Sequence, residues 1–401
     1  MPAGNELGIT SNQPYGGWSY YLSTAQYTEN PKWAPIYARI FPRLRMLSNV
    51  DSSGGTTYPN NSTLSWRQWA LALKEIKPTI YILGGCTGNK GAGYNPQTFA
   101  PYNTYLVQDA RWCQENSIDA YCIGNENLIS GSHSAAAAMV PLTSLARSAN
   151  VVTAVSTAPH GLTTGDYITI SGASPSDYNV ADSLTSETVQ ATVVNATTFT
   201  YPSTGANGTA TGTLRMNWSY LEVVRKTKYQ MQLVSSIFTR GPVVYSESQG
   251  YEDAWITLGL PTGNYLFGVN AYGSGSTDMD RFLYWKNIID KLWTAFGAKL
   301  IITEHNVVLD VGSTKIRGLS YSSPGFEDVA DIELIKRYEY AKELGITQIY
   351  LYGTAEYSMF ANTYPSTDAD DAYIEGDFKP VIDKIRGINT NKVFIGTNTL
   401  T

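Results

Sequence analysis

The chain has 401 residues, enough for one large α/β barrel or for two to three average domains. Hydrophobic residues make up 43% and charged residues only 15%, so a sizeable core is available and polarity comes from Ser, Thr, Asn, Gly and 29 Tyr. A net charge of -6 argues against a nucleic-acid partner, which requires a basic face, and no apolar run has the length of a membrane span.

Met1-Pro2-Ala3-Gly4 opens without the charged and apolar regions of a signal peptide, so a protein acting outside a cell is expected to leave by another route, by lysis or as part of a particle. Cys86, Cys113 and Cys122 show no CxxC spacing and read as small buried hydrophobes. His133, His160 and His305 are too scattered for a zinc site, and no metal or cofactor is expected.

In chain order, residues 6–10 read as a first strand, followed by a polar, aromatic loop containing Trp18. Residues 35–41 read as a helix and residues 43–47 as a second strand. From Leu64 to Ile76 the spacing of Trp66, Trp69, Leu73 and Ile76 predicts an amphipathic helix. Pro78 to Leu83 predicts a third strand, and Tyr102 to Asn116 a helix. Tyr121-Cys122-Ile123 is a short apolar run that stops at Gly124 and delivers Asn125 and Glu126. A buried strand ending in a carboxylate is costly unless that group faces a cleft or a partner.

The rhythm then changes. Residues 135–149 read as a helix, and residues 150–214 are rich in Thr, Ser, Val and Gly with period-two alternation and closely spaced turn signals, which predicts an all-β insert. A helix pattern follows from Asn217 to Phe238. Strands are then predicted at 242–245, ending in Ser246-Glu247, and at 265–269, ending in Asn270-Ala271-Tyr272. A helix over 280–296 precedes Lys299 to Thr303, a strand delivering Glu304. A helix over 332–344, a strand over 348–352 and a terminal helix over 378–388 complete the chain. Eight strands separated by helices predict a (β/α)8 TIM barrel, formed by residues 1–149 and 215–401, with an all-β domain of residues 150–214 inserted after strand 4. A doubly wound open sheet is the competing architecture, but no GxGxxG motif or phosphate loop supports it.

Two strand-end glutamates are the equipment for retaining glycoside hydrolysis, one carboxyl as acid/base and one as nucleophile. Asn125-Glu126 on the fourth strand and Glu304 on the seventh resemble the pattern of the clan A retaining glycoside hydrolases. The resemblance implies Glu126 as acid/base, Glu304 as nucleophile and Asn125 as the partner of the sugar 2-hydroxyl. It also implies Tyr272 as a donor to the nucleophile and Arg45 as the second-strand arginine, with Arg43 as the competing choice. The clan's tryptophan after strand eight is missing from Leu351-Tyr352-Gly353-Thr354, which leaves Tyr352 or Tyr357 to replace it.

Glu247, at the end of strand five, is a candidate sugar contact, and Trp18 and Trp255 are candidate stacking platforms in loops. His305 is expected to face away from the site as a packing residue, and His133 to lie in a loop. The insert, with Pro159-His160-Gly161-Leu162-Thr163-Thr164-Gly165-Asp166-Tyr167 and Ala196-Thr197-Thr198-Phe199-Thr200-Tyr201, is similar to small β-modules of phage tail proteins. It is a candidate for oligomerisation or particle attachment. The expected partner is a carbohydrate. Two competing functions are a non-catalytic carbohydrate-binding or structural virion protein on a barrel scaffold, and a metal-dependent hydrolase using Glu126, Glu247, Glu304 and a histidine.

Overall fold

The computed structural model describes residues 6–11, 43–48, 61–86, 95–129, 133, 139–274, 278–306, 315–316, 319–320 and 336–352. Strands β1 (Glu6–Ser11), β2 (Arg43–Ser48), β3 (Tyr81–Cys86) and β4 (Ala120–Asn125) come first. Eight strands then follow between residues 140 and 218: β5 (Val140–Ser148), β6 (Val151–Ser156), β7 (Tyr167–Ser174), β8 (Val189–Gln190), β9 (Thr192–Asn195), β10 (Thr198–Pro202), β11 (Gly208–Thr209) and β12 (Thr211–Trp218). The remainder are β13 (Val243–Ser248), β14 (Tyr265–Tyr272), β15 (Leu300–Asn306), the short pair β16 (Lys315–Ile316) and β17 (Leu319–Ser320), and β18 (Gln348–Tyr352). The helices are α1 (Asn61–Ile76), α2 (Pro96–Glu115), α3 (Tyr220–Ser235), α4 (Glu252–Leu258), α5 (Asp278–Phe296) and α6 (residues 336–344).

The fold is α/β with a barrel-like parallel sheet. The chain divides into two compact units, one of residues 1–48, 61–84 and 267–401, the other of residues 49–60 and 85–266.

In the first unit, β2 and β18 pair in parallel with β1, and β14 and β18 pair in parallel with β15. Helix α1 turns Trp66, Ala70 and Leu73 inward at one-turn spacing and packs on β2, whose Leu44, Met46 and Leu47 are buried. Lys77 closes that helix by donating to the Leu73 carbonyl, and a turn at 78–79 delays β3 to Tyr81. The strand expected from Pro78 therefore starts three residues later. On α5, Trp285, Ile289 and Leu292 are buried, and Phe296 stacks on Phe267 with ring centroids 4.7 Å apart.

In the second unit, α2 is capped by Asn95, whose side chain accepts from the N–H groups of Gln97 and Thr98, with Pro96 as the first helical residue. Its buried face (Tyr102, Tyr105, Leu106, Asp109, Ala110, Cys113) recurs at helical spacing. Two hydroxyls tie this helix to β4. Tyr102 Oη donates to the Ile123 carbonyl at 2.6 Å, and Tyr121 Oη donates to Asp109 at 3.0 Å. Gly85 on β3 has φ +143, and a Cβ there would lie 2.0 Å from the Cys122 carbonyl oxygen, so only glycine lets the backbones approach this closely.

The strands between 140 and 218 form an antiparallel sheet in the order β8-β7-β12-β5-β6-β10-β9, with β11 on β5. The helix expected over 135–149 is corrected by β5, which occupies Val140–Ser148. Residues 134–138 lie outside the described part. The reason is local: β5 pairs Leu142 with Ser156 and Ser144 with Val155, so an extra residue breaks the period of two and spaces Leu142 and Leu145 as a helix would. Trp218 ends β12 rather than opening α3, and its indole N–H donates to Asp166 at 2.8 Å. The helices expected at 35–41 and 378–388 lie outside the described residues, and α4 was not anticipated. No described helix is long and apolar enough to cross a membrane.

Candidate active site

Glu304 lies on β15 in the first unit and is 3% exposed. Both of its carboxylate oxygens are engaged. Arg45 Nη1, from β2, lies 3.0 Å from Oε1 and also donates to the Thr303 carbonyl at 3.3 Å. Tyr272, the last residue of β14, donates from Oη to Oε2 at 2.7 Å. A guanidinium and a phenol therefore favour the charged form of the carboxylate and hold it in one orientation. Arg45, not Arg43, occupies the position beside Glu304. The guanidinium of Arg43 instead lies 4.6 Å from the centroid of the Tyr81 ring.

Residues 300–305 of β15 are all buried, as in a parallel strand covered on both faces, and the register is irregular at Glu304. Val269 pairs with Ile302 but Asn270 pairs with Glu304, so one step on β14 matches two on β15. On the other edge, Ile302 pairs with Ile349 and His305 with Leu351, three steps against two. Thr303 belongs to this bulge, and its hydroxyl donates to Asn270 at 2.9 Å. An extra residue in one strand re-aims the side chains that follow it.

The same device recurs in the second unit. Val244 pairs with Cys122 and Ser246 with Asn125, so β4 carries one extra residue just before its last residue, Asn125, which Glu126 follows. Asn125 is fully buried. Glu126 is half-buried, and its backbone sits at φ +56, the left-handed region that a residue with a Cβ enters at a cost of roughly 1 kcal/mol. Its N–H donates to the Ser246 carbonyl at 2.9 Å. The next N–H, of Asn127, donates to Tyr245 Oη at 3.0 Å.

Tyr245 Oη in turn donates to Glu247 Oε2 at 2.5 Å, and the Ser248 N–H donates to Oε1 at 2.9 Å. Glu247 is fully buried, and it supports the tyrosine that holds the residue after Glu126. Burial, with the negative charge of Glu126 adding to it, pushes its carboxyl up to about 8, against the bonds from Tyr245 and Ser248. A carboxyl raised in this way binds its proton more tightly folded than unfolded. Stability is then full below about 4.5 and is lost as pH rises towards 8. Glu247→Gln is expected to remove that loss. In urea unfolding the variant gains on the wild type between pH 5 and pH 9, at roughly 1.4 kcal/mol per pH unit and a few kcal/mol in all.

The loop expected around Trp255 is corrected. Trp255 lies in α4, fully buried, with its ring stacked 4.5 Å from that of Tyr245. Trp18 lies outside the described residues. Tyr352 ends β18, and its side chain is likewise outside them, as is Tyr357. His305 is buried against Trp285, with ring centroids 5.7 Å apart, and burial with the nearby Arg337 charge lowers its pKa to about 3. His133 is buried rather than solvated, with Nε2 3.1 Å from Asp182. Among the described residues, no group of three or more His, Cys, Asp or Glu is placed to hold a metal ion.

Arg45→Met gives a direct measure of the Glu304 ion pair. Removing one partner of a buried pair leaves an uncompensated charge and costs about 3–5 kcal/mol. A clear fall in the urea midpoint of Arg45→Met, near neutral pH, is the expected result.

No family model matches the chain, and no curated protein matches it. Solved structures do. The exo-β-1,4-mannosidase Op5Man5 from Opitutaceae bacterium strain TAV5 aligns with TM-score 0.53 at 11% identity, over 96% of this chain and 60% of that one. A protein from Cytophaga hutchinsonii aligns with TM-score 0.51 at 11% identity, over 96% and 90% of the two chains. A GH113 β-1,4-mannanase aligns with TM-score 0.48 at 9% identity, over 98% of this chain and all of that one. At these identities the likeness is one of fold alone.

Proposed function

We propose that the protein is a retaining glycoside hydrolase acting on β-linked oligo- or polysaccharides. The observation that carries this reading is Glu304, a strand-end carboxylate fixed through both oxygens by Arg45 and Tyr272. Donors on both oxygens favour the ionised, oriented state that a nucleophile needs. The matching bulge before Asn125-Glu126 supports a second specialised strand end.

In the proposed reaction a Glu304 oxygen attacks the anomeric carbon while the glycosidic C–O bond breaks. Glu126 gives its proton to the departing oxygen. Water then attacks the resulting glycosyl ester, Glu126 takes the water proton, and Glu304 leaves as carboxylate. The two carboxyls would stand roughly 5 Å apart for this chemistry. Asn125 would hold the sugar 2-hydroxyl. The antiparallel strands of residues 140–218 are proposed as an inserted module, with attachment to a particle or a second copy as its role.

The β-mannoside named for one neighbour makes aryl β-mannosides, with β-glucosides beside them, the first substrates to try. The test is turnover of a panel of aryl glycosides and β-linked polysaccharides, with the first-formed anomer read by NMR. Release of the β-anomer, undiminished by a chelator, is the expected result. Inversion would overturn double displacement, loss of activity with chelator would favour the metal reading, and no cleavage of any substrate would favour a carbohydrate-binding protein.

A further inference from the structure

A cavity of about 520 Å³ opens in the second unit between the antiparallel sheet and the start of α3. His133 and Asp182 lie in its wall with Tyr220. The imidazole is held from several sides. Its backbone N–H donates to the Ile129 carbonyl at 3.0 Å, its carbonyl accepts from Asn217 Nδ2 at 2.8 Å, and its ring lies 4.7 Å from that of Tyr220.

Asp182 fixes which ring nitrogen carries the proton. Its Oδ1 accepts from the N–H groups of Ser183 and Tyr220, both at 2.9 Å, and its Oδ2 lies 3.1 Å from His133 Nε2. A carboxylate so surrounded is an acceptor, so Nε2 is the donor. In the neutral imidazole Nδ1 is then a lone-pair acceptor, and it is buried with no hydrogen-bond partner among the described residues. An acceptor left unmatched on a residue 2% exposed, in the wall of a cavity, points to a ligand that donates.

The lining defines the chemistry of that ligand. No Lys or Arg lines the cavity, so an anion finds no counter-charge. The one carboxylate is already taken by three donors, so a cation finds no free ligand. What remains is an apolar wall of Ile170, Val180 and Ala181 beside the hydroxyls of Ser171, Ser176 and Tyr220. A neutral ring with hydroxyls on its edge and C–H groups on its face fits both, and the volume is in the range of small-molecule sites.

We propose that this cavity binds a neutral sugar residue, one of whose hydroxyls donates to His133 Nδ1. Sugar, rather than another neutral polyol, rests on the glycosidase reading; the donor requirement rests on the cavity alone. Neither Glu304, Arg45 nor Tyr272 lines this cavity, so it would hold carbohydrate without cleaving it.

The test uses the full chain carrying Glu304→Gln, with labelled imidazole nitrogens. The chain has only three histidines, so His133→Gln assigns the His133 signal. The probes are neutral β-1,4-linked tetrasaccharides of glucose, mannose and xylose. At least one is expected to shift the His133 Nδ1 resonance saturably. Adding Ser171→Trp, which fills the cavity, is expected to weaken that binding at least tenfold while the thermal midpoint stays within a few degrees. No shift with any probe, or a shift that persists undiminished with Ser171→Trp, overturns the proposal. A wild-type protein that cleaves no glycoside, yet shows the His133 response, sinks the hydrolase reading and leaves this site standing.

Discussion

Glu304→Gln is expected to lower turnover of an activated aryl glycoside on the order of 10⁴-fold or more, since a missing nucleophile removes the covalent route altogether. The amide keeps the shape of the carboxyl, so Tyr272 and Arg45 retain something to bond. Arg45 nonetheless loses its counter-charge, and a fall in stability accompanies the loss of activity. The assay is steady-state hydrolysis with circular dichroism on the same samples. A folded Glu304→Gln variant with wild-type turnover would remove Glu304 from the chemistry.

Glu126→Gln is expected to act selectively. An acid catalyst matters in proportion to how badly the leaving group needs a proton. A dinitrophenyl glycoside leaves without help, so its glycosylation step survives and the glycosyl-enzyme accumulates. A methyl or phenyl glycoside should lose on the order of 10²–10⁴-fold. The measurement is kcat/KM against leaving-group acidity, which becomes steep in the variant. Equal losses for all leaving groups would assign Glu126 a role in folding or binding instead. The left-handed backbone at Glu126 and the anchoring of Asn127 by Tyr245 are what such a role would look like, so the leaving-group dependence is the deciding quantity.

Much of the parallel sheet was legible because its strands are short apolar runs bounded by helical patterns. Tyr121-Cys122-Ile123 and Leu300-Ile301-Ile302 are both buried as expected, and Arg45 and Tyr272 do meet Glu304. The bulges were not legible, since register is a property of two strands and nothing in one strand declares its partner's offset. Gly124 in β4 was the available hint. Period-two reasoning also failed at β5, where the offset at Leu142/Ser144 mimicked helical spacing.

The surroundings of Glu247 and Trp255 were not legible for a related reason. A strand-end glutamate and a tryptophan near a cleft look the same in sequence whether they face a sugar or each other's neighbours. Only the Tyr245 ring, stacked on Trp255 and bonded to Glu247, decides between them. His133 likewise gave no sign of its burial, because Asp182 lies 49 residues away.

The account stands on Glu304 forming a bond to the sugar. Incubation with an activated 2-deoxy-2-fluoro β-glycoside of whichever sugar is cleaved, followed by peptide mass spectrometry, reads that bond. The expected result is one fluoroglycosyl adduct, on the peptide containing Glu304 and absent from Glu304→Gln. An adduct on another carboxylate, or rapid turnover with no adduct at all, would contradict it.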